Sequence, residues 1–291
     1  MITLDHVAHF VPDRDAASAA LTRLGFTLTP FSVQSHRVSE GAPLVLAGTG
    51  NRLAMFERGY IEFLTPISET PNAAQLRAAM QRYIGVHLIA FGTAAPHLDH
   101  TRLAERAFEP LDPIALQRPI STESGEDTAR FTVVRVPPGT MAEGRIQYCQ
   151  HHTPELVWQK RWLAHANGAT GLASVVVCVE NPGEAAERYA RFTGLPSSAS
   201  GGARRLDTGR GTLFFAGRAA VERTLGVRVP ALPWIAGYAL DCVSVRAARV
   251  AVSEGAIVRD LPDGRFAAAL PDALGGIVVF QARESDVLNF D

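Results

Sequence analysis

Residues 4–11 read LDHVAHFV and residues 85–92 read GVHLIAFG, each with a histidine third in a short apolar run. Two further runs, YIEFLTP (60–66) and RIQYCQH (145–151), carry Glu62 and Gln147 near their centres. If these runs are strands, side chains alternate between faces. His6 then shares a face with Leu4, Ala8 and Phe10, and His87 with Ile89 and Phe91. Glu62 shares one with Tyr60 and Leu64, and Gln147 with Cys149 and His151. Both imidazoles therefore interrupt apolar faces. A carboxylate in mid-strand between Ile61 and Phe63 is costly to bury unless it is paired or bound to a metal. Tyr60 can aim a hydroxyl along the face of Glu62, and Cys149 and His151 offer donors or proton carriers beside Gln147.

The elements that must hold these groups follow from periodicity. DAASAALTRLGF (15–26) has helical spacing and a glycine placed to end a helix. After it come FTLTPFSV, LVLAG, RLAMF and YIEFLTP, β-prone pieces separated by turn residues. A bridging helix is expected over 74–84, and the order then restarts at GVHLIAFG, with a helix at 98–108 and strands at IALQRPI, ARFTVVRV and RIQYCQHH. The repeat holds in register as well as in order: His6 to His87 is 81 positions and Glu62 to Gln147 is 85. LASVVVCVENPGEAAERYARFTGL opens a third copy, and GYALDCVSV, RFAAAL and GIVVFQ belong to a fourth. The class expected is α+β, four βαβββ modules in two pairs. Residues 1–152 form one domain, 153–170 a connector with Trp158, Trp162 and His165 on one face, and 171–291 a second domain.

Composition narrows the partners. A chain of 291 residues that is 47% hydrophobic supports a sizeable core. A formal net charge of −1, with both signs scattered, gives no footprint for nucleic acid or an anionic membrane. The N-terminal residues lack the pattern of a secretory signal, and no apolar stretch nears the ~20 residues that span a bilayer. Three cysteines without CxxC spacing suggest reduced, mostly buried thiols. The expectation is a cytoplasmic protein, monomer or homodimer, acting on a small molecule.

A histidine on the first strand and a carboxylate on the last strand of a βαβββ module, used twice, resemble the vicinal oxygen chelate superfamily. HHTPELVW followed by GATGLASVVV is similar to its glyoxalase-like domain branch. The resemblance implies that each pair of modules forms a cupped mixed sheet with helices outside. It also implies that first and last strands supply the ligands of one divalent metal. Carried over position by position, those ligands are His6, Glu62, His87 and Gln147, with Gln147 departing from the commoner Glu as a neutral, weaker donor. Two histidines and a carboxylate suit iron, manganese, zinc or nickel.

The second half acts as a control. Ser174, Ala239 and Val278 or Val279 stand where ligands would, so the resemblance implies one metal site, in residues 1–152. The chemistry implied is that of a lyase or isomerase in which Glu62 moves a proton, with Tyr60 and His151 nearby. Two alternatives stand beside it: an extradiol-type dioxygenase with non-haem iron, and a metal-free binding protein like the bleomycin resistance relatives.

Overall fold

In the computed structural model, which describes residues 1–37, 42–283, 285 and 288–290, the chain opens with β1 (Thr3–Phe10). Helix α1 (Arg14–Arg23) follows, its first turn capped by the Asp13 carboxylate, which accepts from the amides of Asp15 and Ala16. Strands β2 (Ser32–Arg37), β3 (Leu44–Met55) and β4 (Tyr60–Pro66) complete the first unit. Helix α2 (Pro71–Met80) leads to the second, built of β5 (Gly85–Gly92), α3 (Pro96–Glu105), β6 (Ile114–Thr122), β7 (Gly125–Arg135) and β8 (Arg145–His151). A short helix α4 (Pro154–Val157) lies in the connector. The third unit is β9 (Ala169–Cys178), α5 (Pro182–Thr193), β10 (Ser197–Ser200), β11 (Ala203–Asp207) and β12 (Thr212–Ala216). Helix α6 (Arg218–Leu225) precedes β13 (Trp234–Cys242), α7 (Val245–Ser253), β14 (Ile257–Asp260), β15 (Phe266–Ala269) and β16 (Ile277–Ala282).

The fold is mixed α+β, a curved sheet with helices outside. Within each unit the first strand lies parallel to the last: β1 on β4, β5 on β8, β9 on β12 and β13 on β16. The first strands of paired units run antiparallel, β1 against β5 and β9 against β13. In the first half β2 also pairs with β6, through Ser35 with Gln117 and His36 with Leu116. That contact closes the eight strands into a ring, in the order β1, β4, β3, β2, β6, β7, β8, β5. A closed ring has no exposed edge and encloses an interior. The second half has no such closure among the described strands, and joins the first through Ile235 and Val86.

Outside the ring, Ala17, Ala20 and Leu21 of α1 and Ala185, Tyr189 and Phe192 of α5 share one buried cluster with Leu4, Val7, Val175 and Val177. Both halves therefore contribute to a common core. Inside the ring, Ala8, Phe10, Leu64, Leu88, Ala90 and Val133 form a smaller cluster. The connector seals one end: Val157 packs with Leu53, Met55 and Tyr60, with Trp158 and Trp162 against them, and His165 is held by Thr27 N and Met55 O. In the second half, Phe290 packs against Phe214 within a buried cluster. No helix among the described residues is long and apolar enough to cross a membrane.

Candidate functional site

β1 carries a bulge between Leu4 and His6, where its register against β5 shifts. The bulge lets Asp5 and His6, adjacent in sequence, act together. The Asp5 carboxylate oxygen Oδ2 lies 2.7 Å from His6 Nδ1 and 3.0 Å from His151 Nε2. A carboxylate can only accept, so each facing nitrogen carries the hydrogen. In the neutral His6 ring this leaves the lone pair on Nε2, which faces Glu62 Oε2 at 3.9 Å. The ring is clamped by Tyr60, stacked on it at 4.3 Å. Gly59, at φ +75°, makes the turn that brings β4 alongside: a Cβ there would stand 2.7 Å from the Asp5 carbonyl.

Burial opposes charge on both partners of the Asp5–His151 pair, yet their mutual attraction wins. Asp5 is held below the usual carboxylate range, and His151 is pushed up to about 10. Cys149 Sγ lies 3.8 Å from His151 Nε2, and burial raises its thiol pKa. Burial also raises the Tyr60 phenol well above its ordinary value. His151 lines a shallow outer pocket with Trp158 and Glu57, whereas His6 lines the interior of the ring. Asp5 thus connects two sides. The ligand atoms of Asp5, His6 and His151 lie within 4.8 Å of one another, the one cluster of this kind among the described residues.

The inner pocket, about 50 Å³, is lined by His6, Asn51, Tyr60, Glu62, Gln147 and Cys149 together with arginines. Glu62 Oε1 accepts from Gln34 Nε2 at 3.1 Å and Asn51 Nδ2 at 2.5 Å, leaving Oε2 toward His6. Gln34 is itself fixed by Thr49 Oγ1, at 2.7 Å. Gln147 Oε1 accepts from Arg135 Nε at 3.0 Å. Arg118 lies over the Phe131 ring, and Arg145 over Phe10 while donating to Asn72 and Gln75. Burial lowers the pKa of all three guanidinium groups, that of Arg145 to about 9, where the Arg135 charge adds to it.

The structure brings His6, Glu62 and Gln147 to one pocket, with Tyr60 at its wall and His151 behind Asp5. His87 it places elsewhere. A second bulge, where Ala8 pairs with Leu88 but His9 with Val86, displaces His87 from the regular ladder. Its ring sits between Tyr83 at 4.0 Å and Phe10 at 5.3 Å, with Nε2 bonded to the Tyr83 carbonyl, and burial lowers its pKa to about 4. The register gives the reason. Ala8 lies opposite Glu62 and Ala90 opposite Gln147, so Ala8 and Ala90 correspond. Counting back two residues, His6 corresponds to Leu88, which lines the inner pocket; His87 corresponds to Asp5. In the second half Ser174 pairs with Ala239, which lies beside Val279.

A model described as the glyoxalase-like domain matches residues 4–193. The chain belongs to that family. The match runs beyond the first two units, through β9 and α5, and the glyoxalase-like domain has the vicinal oxygen chelate fold. A hypothetical protein from Staphylococcus aureus is similar in structure, with a TM-score of 0.65 at 11% identity over 97% of this chain and 100% of that one. A mutant of 4-hydroxymandelate synthase from Streptomyces coelicolor gives 0.56 at 16% identity, covering 97% and 94%. A fusion of a xylose isomerase-like TIM barrel with 4-hydroxyphenylpyruvate dioxygenase gives 0.56 at 10%, covering 98% of this chain and 50% of that one. At these identities the likeness is one of fold. No curated protein sequence matches.

Within this glyoxalase-like domain, sequence reasoning missed Asp5, Leu88 and the three arginines. Asp5 had a signal in its position beside His6, and Arg145 in standing two residues before Gln147, hence on its face. Leu88 had none, because a bulge leaves no mark in an apolar run.

Proposed function

We propose that the protein is an enzyme of the vicinal oxygen chelate type, acting on a small molecule by proton transfer of the lyase or isomerase kind. One divalent ion would be held by His6 Nε2 and the Glu62 carboxylate, with the Gln147 carbonyl as third donor. The observation that carries this reading is the 3.9 Å approach of His6 Nε2 to Glu62 Oε2 in the pocket inside the ring. Two donor atoms each about 2.1 Å from one ion stand at most about 4.2 Å apart, so the pair fits. The opposite nitrogen of His6 is bonded to a carboxylate, the usual support of a ligating imidazole. When bound, the ion would polarise substrate oxygens as a Lewis acid.

The chain's own groups supply the rest. Glu62 is anchored at Oε1 by two amides, which aims Oε2 into the pocket as the proton acceptor. Asp5 fixes the His6 tautomer, and His151 holds Asp5 ionised. Tyr60 and the connector keep water from that end. Arg118 and Arg135 stand ready to offset negative charge developing on substrate oxygen.

Leu88 at the fourth corner and the cationic surroundings favour a second reading, a metal-free binding protein. Thermal unfolding of chelator-treated protein with added Mn²⁺, Ni²⁺ or Zn²⁺ separates the two. The enzyme reading predicts a rise in Tm with at least one of the ions, abolished by Glu62→Ala. No rise with any of them would leave the binding reading.

A further inference from the structure

The inner pocket does not end at Gln147. Gln34, Leu116, Arg135 and Arg145 line both it and a larger cavity of about 650 Å³, so the two adjoin, with those side chains as the neck between them. The larger part is walled by apolar groups, among them Phe10, Ala79, Leu111, Ile114 and Val136. Val45 and Leu46, also in its lining, are exposed at its mouth. A volume in the range of roughly 300–1,000 Å³ is what small organic ligands occupy.

The charge in this space is unbalanced. Arg118 is buried, and Arg135 and Arg145 are partly so. Among the described residues none of the three lies within ion-pair distance of a carboxylate, although other arginines of the chain do, Arg58 with Asp241 and Arg188 with Glu143 for example. Glu62 is held by amides rather than by guanidinium groups. Glu62, the one carboxylate in the lining of this space among the described residues, offsets only part of three positive charges, and the remainder favours an anion. Arg135, whose one bond runs through Nε to Gln147, and Arg145, held through one terminal nitrogen by Asn72 and Gln75, line the neck together. Planar carboxylates match such forks.

We infer that the cup takes an amphipathic organic acid, its carboxylate seated between Arg135 and Arg145 and its apolar body in the larger cavity. This names the substrate class for the proposed reaction and rests on that reading for the claim that the bound acid is turned over. Binding itself requires no ion. The head lies at the neck, so it is the carboxylate end of the acid that faces the inner pocket lined by Glu62 and His6. No cluster in the sequence announces this selectivity, since the three arginines are dispersed over three strands, β6, β7 and β8.

The test is calorimetric titration of chelator-treated protein with decanoate and with decan-1-ol, which share an apolar body and differ in the head. Decanoate is expected to bind at least tenfold more tightly. Arg135→Gln and Arg145→Gln are each expected to weaken decanoate about tenfold and leave decan-1-ol unchanged, while Ala79→Trp, which fills the larger cavity, weakens both. Equal binding of the two ligands by the wild-type protein, no binding of decanoate, or unaltered decanoate binding by folded Arg145→Gln would overturn the inference. Should the arginine variants fail to fold, the wild-type comparison decides alone. Because the titration is run without metal, decanoate binding in a protein that takes up no ion would count against the proposed chemistry and leave the ligand class standing.

Discussion

Asp5→Asn removes the charge that joins His6 to His151, and its effect can be worked from the site. Burial alone would drive His151 toward the neutral ring; the Asp5 carboxylate, 3.0 Å away, instead lifts it from 6.5 to about 10. At about 1.4 kcal/mol per pKa unit a shift of that size is worth roughly 5 kcal/mol, and removing one partner of a buried ion pair ordinarily costs about 3–5 kcal/mol. A folded-state pKa raised above the unfolded value gives stability that is complete below about pH 6.5 and is lost as pH climbs through about 10. Asp5, lowered in the fold, adds a contribution held above its ordinary 3.8 and lost as pH falls below it. Denaturant unfolding followed by tryptophan fluorescence, at intervals from pH 6.5 to 9.5, should show wild-type stability declining with pH. The Asn variant should be less stable by about 3 kcal/mol or more at pH 6.5, with a flatter profile. Equal stability of the two proteins at pH 6.5, or parallel slopes, would refute the assignment of a charged pair.

Other consequences follow from particular contacts. Leu88→His puts an imidazole at the position corresponding to His6, and should tighten Ni²⁺ or Zn²⁺ binding about tenfold or more in a competition assay with a chromophoric chelator. Glu143→Gln breaks the bidentate pair with Arg188, in which the carboxylate is 1% exposed, and should destabilise by about 3 kcal/mol in denaturant unfolding; it tests how firmly the loop before β8 is tied to α5. Gly237→Ala would set a Cβ 1.8 Å from the Ile277 carbonyl, and should lower stability by about 3 kcal/mol or more, or abolish soluble expression.

Much of the architecture could be read from periodicity because it rests on local signals. The glycines after α1 and α5, at Gly25 and Gly194, are left-handed in the structure, and the alternation in LDHVAHFV and YIEFLTP sets His6 with Ala8 and Glu62 with Leu64, on the faces that turn into the ring. The site was less legible for two physical reasons. A β-bulge changes which face a residue takes without changing composition, so an offset of 81 from His6 led to His87 when the ladder leads to Leu88. Long side chains such as Arg118 and Arg135 reach a pocket from strands whose sequence gives no sign of one. Closure of the ring by β2 and β6 was likewise silent in sequence, since it depends on a few backbone pairings between distant segments.

The central claim is that His6 and Glu62 hold one ion and that His87 does not. Elemental analysis of protein purified without chelator, for the wild type and for His6→Ala, Glu62→Ala and His87→Ala, addresses it directly. The account predicts about one equivalent of a divalent transition metal in the wild type and in His87→Ala, and loss of most of it in the other two. Equal content in all four proteins, or loss confined to His87→Ala, would contradict it.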